Sequence, residues 1–314
     1  MEQSQLTQII NQNVSMINLP CLGIKKLLTP FVLIHDKIAI FEAGTTNTAE
    51  LLLEGLEQLG ISPKDVDYLI VSHIHLDHAG GAGYLAQKMP QAKVMVHEKG
   101  ARHLIDPSRL IAATKKVFGS KDVIKEHYGD IIPIPEEQVI ALGDGDKIDL
   151  GPGRQTKIIH TPGHAPHHLC LYDPITNGIF SGEALGILVK DLNMYSPSTP
   201  MPDFNLSQSI DSILRLLAYD IQIIYLSHAG YTRQVQDTIY KIIGQLICWE
   251  KIIKDSPEKE AADNLKAYVL QKEWPQWNTT ALAKEHNLED NIKWLTWRIG
   301  AVLAPGIKNS CKKS

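Results

Sequence analysis

Residues 66–83, VDYLIVSHIHLDHAGGAG, restrict the folds open to this chain more than any other stretch. The run VDYLIVSH (66–73) shows no polar alternation, so it reads as a strand buried on both faces. Directly after it come His73, His75, Asp77 and His78. His73 and His75 are two apart and project to the same side of an extended segment. That is what a zinc ion with bonds of about 2.0–2.1 Å to shared imidazoles requires. Asp77 and His78 lie on the following turn and can address a second centre. Burying three imidazoles and a carboxylate in so short a run is costly without a cation. A solvated histidine-rich loop would read similarly, but the apolar strand before it and Gly80-Gly81 behind it hold the segment at a buried sheet end.

Around this segment, short apolar runs alternate with amphipathic ones. FVLIHD (31–36) and KIAIFEAG (37–44) are predicted as two strands joined by a tight Asp36-Lys37 turn. TNTAELLLEGLEQLG (46–60) spaces Leu51, Leu52, Leu56 and Leu59 as a helix does, with Gly60 as its stop. Gly80 and Gly81 permit a sharp turn into a helix over about 82–89. KVMVHE (93–98), KIDLG (147–151), TKIIHTPGH (156–164), HHLCLYD (167–173) and NGIFSGE (177–183) are predicted strands, and YDPITNG (172–178) is a hairpin turn. A proline-rich loop (191–205) leads to a helix over 206–219, then a strand, IQIIYLSHAG (221–230). From about residue 232 the periodicity is helical. This order implies two packed sheets with helices outside, a layered α/β architecture. Residues 99–130 exceed an ordinary connection and are either a surface decoration or a lid.

His164 in TPGHAPHH and His228 in LSHAG each close a predicted strand, and Glu183 in GIFSGEALG closes another. Strand ends carrying such groups converge on one sheet edge as a metal centre. HxHxDH after a strand, TPGH, FSG plus an acidic residue, and a late strand ending in His resemble the metallo-β-lactamase fold superfamily, over about residues 30–230. The resemblance implies a four-layer αββα sandwich with a binuclear site at one sheet edge. It implies His73, His75 and His164 around one ion, Asp77, His78 and His228 around the other, and the acidic residue after FSG bridging both. Most members have Asp there. Glu183 reaches roughly 1.5 Å further, one carbon–carbon bond, and alkylsulfatase-like members also place Glu around their metals. Glu183 is read as a ligand, with bridging, single-ion and supporting roles all open. Glu42, in FEAG where DTG is usual, is expected to support the loops by accepting hydrogen bonds. Asp146 and Asp173 are candidate acceptors for the second nitrogens of ligand histidines. His167 and His168 are expected to make structural hydrogen bonds, and Tyr195 is left outside the site.

Two divalent ions draw a nucleophile from water at neutral pH and polarise a carbonyl or phosphoryl oxygen, so no serine or cysteine nucleophile is needed. Asp77 is then both ligand and catalytic residue, accepting or orienting a proton. Zinc is the expected metal, with iron and manganese also suited to such donors. A total of 31 basic against 35 acidic residues gives a formal net charge of −4, which offers no footprint for nucleic acid. Cys21, Cys170, Cys248 and Cys311 are scattered, and the N-terminus lacks a basic segment followed by an apolar one. With no run approaching about eighteen apolar residues, a reduced cytoplasmic protein without membrane partners is expected.

The reading is a binuclear metallo-hydrolase of a small or medium ester, thioester, lactone or phosphoester. The segment HAPHH (164–168) is similar to those of glyoxalase-like and lactonase-like members. One alternative resembles the mononuclear iron persulfide dioxygenases, with His73, His164 and Glu183 as ligands; retention of Asp77, His78 and His228 argues for two ions instead. A non-enzymatic zinc scaffold is the other, and an open carboxylate-rich site argues against it. The catalytic domain is expected over 1–235 and a helical region over 236–314. In the latter, Ile239, Ile242, Ile243, Leu246, Ile247 and Ile253 form one apolar stripe. A further apolar helix over 291–304 carries only Lys293 and Arg298, too few cations for DNA. These helices are expected to pack on the core or to form a homodimer.

Overall fold

The computed structural model describes residues 5–21, 24–189, 194–200, 202–228, 230–257 and 259–273. The first sheet has the order β1 (Thr7–Asn11), β2 (Val14–Ile17), β5 (Phe31–Ile34), β6 (Ile38–Phe41), β7 (Val66–Ile70), β8 (Lys93–His97), β9 (Val139–Leu142). A ribbon of β3 (Leu19–Cys21) and β4 (Ile24–Leu28) lies between β2 and β5 in sequence. The second sheet runs β10 (Lys147–Asp149), β11 (Gln155–His160), β12 (Leu169–Asp173), β13 (Gly178–Phe180), β16 (Ile223–Leu226), β17 (Gly230–Thr232). A second ribbon pairs β14 (Ile187–Val189) with β15 (Met194–Ser196). The predicted hairpins are present, with Ile34 opposite Ile38 and Asp173 opposite Gly178.

Strand direction decides where the chemistry sits. Strands β6 to β9 are mutually parallel, so β6, β7 and β8 end on the same edge. In the second sheet, β11 and β13 are each antiparallel to β12, and β13 is parallel to β16. The ends of β11, β13 and β16 therefore share an edge as well.

Side-chain alternation builds four layers. Phe31, Leu33, Phe41 and Ile70 of the first sheet meet Ile158, Leu171, Phe180 and Tyr225 of the second in one core. Phe180 stacks on Tyr225 at 4.3 Å between ring centroids. The outer face of the first sheet, including Val32, Ile40 and Leu69, packs on α1 (Ala49–Gln58) and α3 (Ala82–Lys88). The outer face of the second, including Ile179 and Ile224, packs on α7 (Leu206–Leu216), α8 (Val235–Asp255) and α9 (Ala261–Tyr268). The expected double burial of β7 is visible in Leu69 and Ile70, which enter different cores.

At the edge where β11 begins and β12 ends, Arg154 and Asp173 form an ion pair with both side chains fully buried. The guanidinium donates through Nε to Oδ1 at 3.2 Å and through Nη2 to Oδ2 at 2.8 Å. Its Nη1 donates to the carbonyls of Asn13 and Ile34 in the first sheet. This fork therefore joins the two sheets at the edge away from the ends of β6, β7, β11 and β13.

Several boundaries differ from expectation. Strands β1 to β4, β9, β14 and β15 go beyond what the sequence predicts, β15 lying inside the stretch expected to be a proline-rich loop. The predicted strand 221–230 is broken: β16 stops at Leu226, and Gly230, with φ of 104°, starts the antiparallel β17. Residues 98–128 form α4 (Glu98–Ile105), α5 (Ser108–Phe118) and α6 (Lys121–Tyr128). Ile124 and Tyr128 of α6 pack on Leu76, inside the histidine motif. On α8, Ile239, Ile242, Leu246 and Ile253 are buried as the stripe predicts, but Ile247 is 52% exposed. Everything expected beyond residue 273, including the helix over 291–304, lies outside the described residues.

Candidate metal centre

Loops at the shared edge carry all seven candidate ligands. After β7, His75 is the extended N-cap of the one-turn helix α2 (Leu76–Ala79), which places Asp77 and His78 on its turn. The following glycines press against the end of β6. A Cβ at Gly81 would lie 2.7 Å from the Ala43 carbonyl oxygen, so this close approach excludes any side chain. The strands stop earlier than the sequence suggests: β11 ends at His160 and β16 at Leu226, leaving His164 and His228 on the loops beyond.

Two groups of ligand atoms result: His73, His75, His164 and Glu183, and Asp77, His78 and His228. In the first, His73 Nε2 lies 2.8 Å from His75 Nδ1, and His164 Nε2 lies 3.1 and 3.0 Å from those two atoms. In the second, His228 Nε2 is 3.3 Å from His78 Nε2, and Asp77 Oδ2 is 3.5 Å and 3.6 Å from the two rings. Glu183 stands between them. Its Oε2 is 2.9 Å from His164 Nε2 and 3.4 Å from His78 Nε2, and its Oε1 is 3.4 Å from His228 Nε2.

The donor chemistry fits metal ions. His164 Nδ1 faces the Ser198 carbonyl and His78 Nδ1 faces Glu42 Oε1; both oxygens only accept, so each Nδ1 carries a proton and points Nε2 inward. A tetrahedral ion with bonds of about 2.0–2.1 Å holds its ligand atoms roughly 3.3 Å apart, close to the spacings within each group. Electrostatics agree. Burial, then the neighbouring His164 ring, pushes His75 down to about 4, so at neutral pH it is uncharged and keeps one nitrogen lone pair free for a metal ion. Burial opposes ionisation of Glu183, but His164, His78 and His228 hold it well below the usual carboxylate range. Burial also works against a charge on His78, yet Asp77, Glu42 and Glu183 push its pKa well up, marking the second group as a place for positive charge. His73 and His78 are fully buried, whereas His75 is partly exposed and Asp77 is 25% exposed, so the centre opens to solvent beside these two.

Behind the ligands, Glu42 acts as expected. It accepts from the Ser72 amide, His78 Nδ1 and the Ser227 hydroxyl. It does so with φ of 78°, a left-handed conformation that a glutamate holds only under tight surrounding constraint. The expected roles of Asp146 and Asp173 are overturned. Asp173 is taken by Arg154, and Asp146 accepts from the Gly143 amide within its own turn. Ser72, which touches His73 Nδ1 at 2.8 Å, and the Ser198 carbonyl serve instead. Serines scattered along the chain carry no pattern that could have announced this. His168 makes the expected structural hydrogen bonds, whereas His167 Nε2 is buried without a hydrogen-bond partner among the described residues. Tyr195 packs in the outer core and bonds Gln234.

The sequence profile of the metallo-beta-lactamase superfamily matches residues 30–228. The chain belongs to that superfamily. Among its relatives is the metallo-beta-lactamase fold-containing protein ST1585 of Sulfurisphaera tokodaii, 25% identical over 209 residues, covering 65% of this chain and 74% of that protein. The diflavin flavoprotein A 1 of Synechocystis is 28% identical over 153 residues, 48% of this chain but only 22% of its own length. The crystal structure of the superfamily protein TTHA1429 from Thermus thermophilus superposes with a TM-score of 0.66 at 20% identity, covering 88% of this chain and 95% of that one. As a superfamily member, the chain has the αββα fold with its histidine and carboxylate cluster at one sheet edge. Among the described residues, no helix is long and apolar enough to cross a membrane.

Proposed function

We propose that this superfamily member is a binuclear metal-dependent hydrolase of a small or medium ester, thioester, lactone or phosphoester. The observation that carries the reading is Glu183, whose two oxygens face histidines of both groups at 2.9 and 3.4 Å. His73, His75 and His164 would hold one ion, Asp77, His78 and His228 the other, with Glu183 shared. Zinc suits these nitrogen and oxygen donors, and iron or manganese would be accepted too. When bound, such a pair lowers the pKa of water and polarises a carbonyl or phosphoryl oxygen. The protein's part is arrangement. Glu42 and Ser198 fix the tautomers of His78 and His164, and burial excludes bulk water from His73. Asp77, the partly exposed carboxylate, stands where substrate arrives and accepts or orients a proton there. The net charge of −4 supports a small-molecule substrate over nucleic acid.

One second reading is an oxidoreductase that would hold a single iron ion at His73, His164 and Glu183, and the likeness to a diflavin flavoprotein is what favours redox chemistry. Elemental analysis of the purified protein separates them. Two zinc ions per chain, with turnover on a panel of lactone, thioester, phosphodiester and sulfate-ester substrates, supports hydrolysis. Iron with thiol-dependent oxygen uptake refutes it.

A further inference from the structure

The loop that carries Glu183 rests on a histidine outside the two ligand groups. His168 is fully buried. Its Nε2 lies 3.1 Å from the main-chain nitrogen of Glu183, and its Nδ1 lies 2.7 Å from Thr161 Oγ1. A backbone amide only donates, so Nε2 is the unprotonated acceptor and Nδ1 carries the proton, donated to the threonine hydroxyl. The loop from 161 to 168 is closed by the Thr161 amide donating to the His168 carbonyl at 2.9 Å. That same loop carries His164. One imidazole therefore ties the main chain under Glu183 to the loop of another candidate ligand.

The seat beneath Glu183 is tight. Gly182 has φ of 53°, and a Cβ there would lie 2.5 Å from His168 Nε2 and 2.7 Å from Ser72 Cβ. The backbone at 182–183 has no room to move toward His168 or Ser72. From this position the carboxylate places Oε2 2.9 Å from His164 Nε2 and Oε1 3.4 Å from His228 Nε2. Removing one methylene withdraws it by roughly 1.5 Å, enough to abandon one of the two groups.

We propose that His168 is a positioning residue: by accepting the Glu183 amide it sets the main chain at a depth from which glutamate, and not aspartate, spans both ligand groups. The assignment rests on reading the seven side chains as a two-ion centre. The amide acceptor, and not the bulk of the ring, is the feature that matters. Glutamine at 168 offers a side-chain oxygen to the same amide, whereas leucine fills similar volume and offers none.

The test is zinc stoichiometry by elemental analysis, with affinities from competition against a chromophoric chelator, for wild type, His168→Leu, His168→Gln and Glu183→Asp. Wild type is expected to hold two ions. His168→Leu and Glu183→Asp should each bind the second at least tenfold more weakly, and His168→Gln should restore most of that loss. His168→Leu or Glu183→Asp binding both ions with wild-type affinity overturns the proposal, and leaves the two-ion reading intact. Fewer than two ions in wild type refutes the two-ion reading itself. The imidazole ¹⁵N spectrum of wild type then judges His168 alone, and does so equally if His168→Leu fails to fold. Unprotonated Nε2 with protonated Nδ1 supports its role as acceptor; the reverse tautomer refutes it.

Discussion

Replacing Glu42 by glutamine changes one atom type in a site that accepts from three donors. Glu42 is 3% exposed, and its carboxylate takes the Ser72 amide at 3.2 Å on Oε2, with His78 Nδ1 at 3.0 Å and the Ser227 hydroxyl at 2.6 Å on Oε1. An amide has one acceptor oxygen, and whichever way it turns its NH₂ meets a donor. The less costly turn keeps oxygen toward His78 and Ser227 and sets NH₂ against the Ser72 N–H. A buried donor left unmade costs about 1–3 kcal/mol, and losing the charge on the other two bonds costs about 1 kcal/mol each. Stability of the metal-free protein should fall by about 3–5 kcal/mol in all, or roughly 10 °C in Tm. Because Glu42 holds the tautomer of His78, the ion of the second group should bind about 10–100-fold more weakly. Urea unfolding of the metal-free protein and chelator competition read the two effects separately. Metal-free stability within about 1 kcal/mol of wild type, with both affinities unchanged, would refute the role given to Glu42.

Arg154→Met strands the fully buried Asp173 and should cost about 3–5 kcal/mol in urea unfolding, while Arg154→Met/Asp173→Leu should cost less than the single change. Equal losses in both would refute the pairing argument. Acid should weaken the metal-free protein: burial and nearby imidazoles depress His75 to about 4 and His167 to about 3, against 6.5 for the free side chain. Between those values the unfolded chain binds more protons, so stability is lost as pH falls from 6.5 through 4. Urea midpoints at about pH 7 and pH 4.5 check the sign, and identical midpoints would contradict it. The Thr46 hydroxyl lies 2.9 Å from the Gly80 carbonyl and 2.8 Å from that of Asp130, tying the segment after α6 to the metal-site turn. Thr46→Val should speed amide exchange along α6 and lower stability by about 0.5–1.5 kcal/mol; unchanged exchange would count against that tie.

The parts of the fold legible in the sequence are those whose local pattern and tertiary role coincide. An unbroken apolar run predicts the burial of β7 on both faces, and HIHLDH beside Gly80-Gly81 predicts where that strand meets polar chemistry. Where pattern and role part, the sequence misleads. Val14–Ile17 is entirely buried but only four residues long, too short a run for its pattern to distinguish it from a loop. Ser227 and His228 extend an apolar run by sequence, yet the ladder stops at Leu226 because Gly230 turns the chain back. Glu42 is identifiable because it sits beside a strand end of known direction. Asp146 and Asp173 are misassigned from sequence because each finds a partner away from the metal site: Asp146 is taken by the Gly143 amide of its own turn, and Asp173 by Arg154 just before the neighbouring strand, 19 residues away.

The ligand groups have an architectural consequence. Each draws side chains from both halves of the sandwich: His73 with His164, and His78 with His228. At the far edge, the Arg154 fork joins the same halves through Asn13 and Ile34. Bound ions would therefore act as removable cross-links along one side of a book whose spine is the Arg154–Asp173 pair. Stripping them with a chelator should loosen the pages from the open side. Amide exchange should rise first in the loops after β7, β11, β13 and β16, while the backbone around Gln155 and Asp173 stays protected until global unfolding.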